Sequence, residues 1–184
     1  RDTQTQQENG IARAAAVTLT YPELEPTEYA VARSKTSFPY VPGLLSFREV
    51  PVVLDALEKL AVLPDVIICD GHGRAHPRRF GLACHLGVYT QIPTVGVAKT
   101  RLIGESHPLP SNKGSMVDLW HKQDLIGRLV RTRRNVNPVY VSVGHKVSLS
   151  TAADLTLACV TRYRLPETTR LADRIASQRG AGQF

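Results

Sequence analysis

Asp65-Val66-Ile67-Ile68-Cys69-Asp70-Gly71-His72-Gly73-Arg74-Ala75-His76-Pro77 runs from β-forming apolar residues directly into a carboxylate and a polar, glycine-bearing loop. An apolar run of this kind predicts a strand covered on both faces. In open α/β sheets, ligands collect outside the carboxyl ends of such strands. Asp-Gly alone would read as an Asx-type turn leaving a core strand. The grouping of Asp70, His72, Arg74, His76, Arg78 and Arg79 within ten residues favours a site. Gly71 and Gly73 allow the backbone to turn and to approach a ligand. His72 and His76 add groups that titrate or bond phosphate near neutral pH.

Outward from this stretch, the pattern of apolar residues sets the class. Ala12 to Tyr21 and Glu28 to Arg33 read as two strands joined by Pro22-Glu23-Leu24-Glu25-Pro26, a hairpin at one edge of a sheet. Val53, Ala56, Leu57 and Leu60 recur at helical spacing, which predicts a helix from Ser46 to Ala61. After strand 65–70 come a helix over Arg79 to Tyr89 and strands at Thr94 to Ala98, Leu125 to Arg131 and Val139 to Val143. Helices near Thr151 to Thr161 and Glu167 to Gln178 close the chain. Leu109 to His121 reads as an irregular insertion. The order predicts an α/β fold with a mixed, mostly central-parallel sheet and helices on both faces.

At 184 residues the chain has room for a single domain with its own core. Twenty-three Lys+Arg against 16 Asp+Glu give a net charge of +7 and a pI near 9.6, a balance suited to polyanions and first of all to nucleic acid. Cys69, Cys84 and Cys159 are odd in number, widely spaced and set in apolar segments, as expected of reduced core thiols in a cytoplasmic protein. No CxxC pair suggests a structural zinc site, and no apolar run approaches the ~18 residues of a membrane span. The chain begins at Arg1 rather than Met, which leads us to expect that an N-terminal piece precedes it.

Further candidates stand at element ends. Glu49 follows Ser46 by three residues at the start of the first long helix, so it can be a capping-box partner or a cation ligand. Lys99 follows Thr94-Val95-Gly96-Val97-Ala98, and His145 follows Val139-Tyr140-Val141-Ser142-Val143-Gly144, each where a strand stops. A zinc pair made of His72 and His76 is disfavoured, because their i,i+4 spacing falls in a Gly/Pro loop rather than on a helix. His85 and Cys84, sharing a helix face with Leu82 and Leu86, read as packing.

Five runs, in order and spacing, resemble the bacterial form of endonuclease V. They are Phe38-Pro39-Tyr40-Val41-Pro42-Gly43, Leu45-Ser46-Phe47-Arg48-Glu49, Asp70-Gly71-His72-Gly73 through His76-Pro77, Gly96-Val97-Ala98-Lys99, and Gly144-His145-Lys146-Val147-Ser148. Tyr163-Arg164-Leu165-Pro166-Glu167-Thr168-Thr169-Arg170 resembles that family's C-terminal signature. The resemblance implies a ribonuclease H-like fold and a DNA repair enzyme that recognises deaminated bases, chiefly deoxyinosine. It also implies a nick at the second phosphodiester bond 3′ to the lesion, with Mg²⁺ as cofactor and Mn²⁺ as substitute, and a monomer free of membranes. Glu49 and Asp70 would be metal ligands. The family's first carboxylate, counted back without gaps from Arg13-Ala14-Ala15, falls on Asp2. Tyr40 would be the wedge filling the place of the damaged base, stiffened by Pro39 and Pro42. Gly43, Gly71, His72 and His76 would line the base pocket. Lys99 would neutralise the scissile phosphate, and His145 would assist at the metal. Arg78, Arg79, Arg128, Arg131, Arg133 and Arg134 would contact phosphates irrespective of sequence. Two other classes are an inosine-directed ribonuclease acting on RNA and a nucleic-acid-binding protein without cleavage.

Overall fold

The computed structural model describes residues 11–35 and 45–177. Asp2, Tyr40, Pro42 and Gly43 lie outside them. The chain divides into two compact units, Arg1–Pro64 with Thr168–Phe184, and Asp65–Glu167.

In the first unit, β1 (Ile11–Leu19) and β2 (Pro26–Lys35) form the expected antiparallel hairpin. Among the described residues the two strands pair only with each other, as a separate sheet and not as the edge of a larger one. Helix α1 (Leu45–Leu57) covers the hairpin through Val52 and Ala56, which meet Ala12, Ala14 and Ala32. Alanines on the strands leave no bulk between helix and sheet. The amphipathic spacing read from Val53, Ala56 and Leu57 thus corresponds to a real buried face, worth on the order of 25 cal/mol per Å² of apolar surface removed from water. The helix begins at Leu45, one residue before Ser46, and carries Glu49 in its first turns.

The second unit is a five-stranded sheet in the order β3-β4-β7-β6-β5. Its strands are β3 (Ile67–Asp70), β4 (Thr94–Ala98), β5 (Met116–His121), β6 (Asp124–Val130) and β7 (Val139–His145). Only β3 and β4 are parallel, joined across by α2 (Leu82–Thr90), while the other three pairings are antiparallel. The expectation of a mostly parallel sheet is therefore corrected. Parallel neighbours need a crossover, and no helix lies between β4 and β7 to provide one. Leu109 to His121 is likewise not irregular throughout, because Met116–His121 is the edge strand β5. Its hairpin turn places Lys122 at φ 60°, a left-handed conformation reached without the Asn-Gly or Asp-Gly pair that advertises such turns. Beyond β5, Glu105 pairs with Trp120 through two backbone bonds, of 2.6 and 2.8 Å.

The two faces of this sheet differ in bulk. One carries Val95, Val97, Val139 and Val141, packed under Ala152 and Ala153 of α3 (Leu149–Ala158). That helix starts two residues earlier than the pattern suggests, because the Ser148 side chain accepts a hydrogen bond from the Thr151 N–H and caps it. The other face presents Thr94, Gly96, Gly127, Ser142 and Gly144, and on it lie α2 and the loop 71–81. The closing helix α4 (Glu167–Ser177) matches its expected position.

Loop 71–81 lies against the sheet backbone itself. Gly73 N–H donates to Ser142 Oγ at 2.9 Å and Arg74 N–H to the Val143 carbonyl at 2.8 Å. A Cβ at Gly73 would stand 2.1 Å from the Val143 carbonyl oxygen, and one at Gly96 would stand 2.5 Å from Gly73 N. Gly73 thus answers to β7. Ala75 anchors the loop over Leu119, Ile126 and Leu129. Gly73→Ala and Gly96→Ala are each expected to cost about 1–3 kcal/mol or more in unfolding free energy. Gly71→Ala should cost less than about 1 kcal/mol, since its added methyl would meet only the Leu82 side chain, at 3.3 Å. Urea denaturation of the three variants measures the difference, and equal losses would contradict the close approach.

Candidate active site

Strands β3 and β4 run parallel with Asp70 opposite Val97, so Asp70 and Lys99 emerge together at their carboxyl ends. Lys99 Nζ lies 2.8 Å from Asp70 Oδ2. The side chains are 27% and 18% exposed, shielded enough for the pair to hold its geometry and open enough to meet a ligand. The carboxylate that marked the strand end in the sequence thus has a cation beside it.

The loop that follows supplies two imidazoles in different settings. His72 is pushed down to about 4, chiefly by burial and next by His76, against a hydrogen bond to the Thr100 backbone. It is neutral at physiological pH, and its Nδ1 is buried without a partner. His76 is buried too. Its Nδ1 accepts the Arg78 N–H at 3.2 Å, and burial first, then Arg78 and His85, lower its pKa. The accepted N–H occupies one nitrogen of the disfavoured zinc pair. His85 stacks edge-on with Phe80 at 4.4 Å between ring centroids, and the Cys84 thiol donates to the Arg79 and Val143 carbonyls, in keeping with packing roles.

His145 is not brought to Asp70 and Lys99. It pairs with Thr94 at the start of β4, whereas Asp70 pairs with Val97 near its end, about 10 Å away at the usual strand rise. The expectation failed because β7 is antiparallel to β4. The carboxyl end of β7 therefore lies at the amino ends of β3 and β4. There His145 rests its Cβ against Gly87 of α2.

Several arginines expected to face phosphate are engaged internally. Arg79, at φ 55°, donates to Asp124 Oδ2 at 2.9 Å, meets His121 Nδ1 at 2.8 Å and reaches the His76 carbonyl, tying the loop to the β5–β6 turn. Arg128 bonds Asp118 across the hairpin at 2.8 Å. Arg131 holds the carbonyls of Leu109, Pro110 and Val136. Arg133 and Arg134 are exposed, as is Arg78, and remain suited to an external anion. Glu49 is buried, 7% exposed, and belongs to the first unit. Sequence reasoning gave no role to Arg164, whose guanidinium donates to the Lys99 and Pro138 carbonyls. Its place inside the run Tyr163-Arg164-Leu165-Pro166-Glu167 was the one signal that pointed to it.

The sequence matches the family model for endonuclease V over residues 2–174. The chain belongs to the endonuclease V family. It is 59% identical over 167 residues to the endonuclease V of Roseiflexus castenholzii, covering 91% of this chain and 75% of that one. The structure superposes on the crystal structure of Streptomyces avermitilis endonuclease V with a TM-score of 0.90 and 49% identity, over 93% of this chain and 75% of the other. It also matches Ciona intestinalis endonuclease V, solved with a 24-mer DNA containing an inosine followed by a ribo-adenosine. That likeness has a TM-score of 0.78 and 31% identity, over 92% and 79% of the two chains. The mixed α/β, ribonuclease H-like class follows, and the family makes the protein a nuclease.

The lowered pKa of His72 predicts an acid weakness in this fold. Its folded value lies below its unfolded one, so the unfolded chain binds the extra proton first. Stability is then full above about pH 6.5 and is lost as pH falls toward about 4. The displacement corresponds to roughly 3 kcal/mol at most. His72→Gln is expected to flatten the melting temperature between pH 6.5 and 4, measured by thermal denaturation across that range. An unchanged slope would remove His72 as the source.

Proposed function

We propose that this endonuclease V cleaves DNA at deaminated bases, chiefly deoxyinosine, by metal-dependent hydrolysis of the second phosphodiester bond 3′ to the lesion. The observation that carries the reading is the Asp70–Lys99 pair at the carboxyl ends of two parallel strands. A carboxylate and an ammonium 2.8 Å apart offer a ligand oxygen beside a positive charge, as hydrolysis of a phosphodiester requires. Lys99 would neutralise charge on the scissile phosphate. Loop 71–81 would offer backbone groups and the neutral His72 to the edge of an extruded base, with Gly71 and His76 beside it and with Tyr40, Pro42 and Gly43 completing the wedge and pocket. Arg78, Arg133 and Arg134 would hold the strand.

The donor chemistry suits a hard cation, since Asp70 contributes oxygen and not thiolate or imidazole. Among the described residues no three His, Cys, Asp or Glu side chains gather as a metal cluster, so Glu49 and Asp2 are the further carboxylates this reading enlists. Bound Mg²⁺ or Mn²⁺ would supply charge stabilisation and an acidified water. No helix among the described residues is long and apolar enough to cross a membrane. We place the enzyme in the cytoplasm, as a monomer, in keeping with three free, buried cysteines. The ribo-adenosine in the Ciona ligand favours a second reading in which RNA is also cut, so a chimeric strand belongs in the assay.

Nicking of inosine-containing and undamaged duplexes, with and without Mg²⁺, tests the proposal. Metal-independent nicking, or equal nicking of both duplexes, would overturn it. Asp70→Ala is expected to lower the cleavage rate by at least ~10³ while leaving affinity for inosine DNA intact, measured with Ca²⁺ in place of Mg²⁺. Neutralising Arg133 and Arg134 together should weaken binding to damaged and undamaged DNA alike and lower the salt slope by about one unit for each phosphate no longer held. A loss confined to inosine discrimination would instead assign both arginines to the pocket.

A further inference from the structure

We propose that Arg164 is a positioning residue for Lys99, acting by capping the open end of the β4–β7 ladder. The last cross-strand pair of that ladder is Ala98 with Tyr140. Beyond it lie the carbonyls of Lys99 and Pro138, past the point where strand pairing can satisfy them. Arg164 donates to both through Nη2, at 2.7 Å for Pro138, and so joins the segment leaving β4 to the segment entering β7. A planar guanidinium with several fixed donors can bridge two acceptors in this way, and a lysine ammonium on its flexible stem cannot hold them in one plane.

The arginine is itself held in place. Its own carbonyl accepts the hydroxyl of the fully buried Thr132 at 2.7 Å, fixing the backbone at Arg164 to the strand region after β6. No carboxylate pairs with it among the described residues, and its Nε is buried with no partner. A half-buried cation with no carboxylate beside it among the described residues, and with one donor unsatisfied, is costly unless the carbonyls it holds matter. Burial lowers its pKa, which agrees with that cost. What the two carbonyls secure is the backbone of Lys99, whose Nζ meets Asp70 2.8 Å away. Arg164 touches neither phosphate nor base in this scheme. It sets where the Lys99 ammonium stands relative to Asp70, and misplacing a reacting group by about 1 Å can cost ~10²-fold in rate.

The inference rests on the reading of Lys99 as the phosphate-neutralising group, and a double-mutant cycle separates the two. Single-turnover nicking of an inosine duplex with Mg²⁺ would be measured for the full chain and for Lys99→Ala, Arg164→Ala and the double variant. Melting temperatures and affinity with Ca²⁺ would be measured alongside. Lys99→Ala is expected to slow nicking, and Arg164→Ala to slow it by about 10²-fold with affinity unchanged. In the Lys99→Ala background, adding Arg164→Ala should alter the rate by no more than ~2-fold. Arg164→Gln, which keeps an amide donor for one carbonyl, should recover part of the rate and serves where the alanine variant folds poorly. Full multiplication of the two losses, or a rate loss that merely follows the melting temperature, would overturn the positioning role. A Lys99→Ala variant that nicks at the full rate would instead overturn the reading of Lys99, and the inference with it.

Discussion

The approach of loop 71–81 to bare sheet backbone is the constraint on which the second unit depends. A polar loop laid on a sheet would ordinarily be held off by side chains. Here Gly96 and Ser142 lie beneath it, with Gly127 beside Ala75, and the loop's own Gly73 leaves room for hydrogen bonds from main chain to main chain. That approach carries the loop over β4 and β7. It holds His72 and His76, which follow Asp70 closely in sequence, in surroundings whose burial lowers the pKa of both imidazoles. Valines on the opposite face do the conventional work of burying apolar area under α3. One face of the sheet buries apolar area under α3, and the other is kept small so that the loop can lie on it.

The positive charge of the chain serves two purposes. Arg79, Arg128, Arg131 and Arg164 all act as struts. They hold a turn, a hairpin, an insertion and a ladder end, and three of the four do so mainly or partly through carbonyl oxygens. Carbonyl recognition lets arginine order irregular backbone that has no strand partner of its own. The surplus over acidic residues therefore overstates the charge available to an outside polyanion, because several guanidiniums are turned inward. Arg133 and Arg134 follow closely after one of these struts, Arg131, which places exposed charge on well-anchored backbone.

Much of this was legible from residue order. Thr94 to Ala98 is found as read, and Asp70 stands at a strand's carboxyl end because an apolar run followed by Asp-Gly admits few other geometries. The partnership of Asp70 with Lys99 required knowing that β3 and β4 are parallel neighbours, which the intervening helix implies. What could not be read was direction further along. His145 ends a strand as surely as Asp70 does, but strand ends belong to one site only if the strands point the same way, and nothing within Val139 to His145 records its orientation. The hairpin at Lys122 was hidden because its left-handed residue is a lysine, and Arg164 was hidden because its acceptors are main-chain atoms that carry no sequence signal.

The pairing of Glu105 with Trp120 bears on how the molecule behaves in company. Strand β5 ends the sheet, and an end strand with a half-exposed tryptophan is the place where one copy of a β-protein could stitch onto another. The chain blocks this by folding its own residue 105 against that position, using both main-chain groups of Trp120 internally. At that one position the sheet edge is closed by the chain's own residue 105, and the main-chain groups of Trp120 are withheld from any second strand.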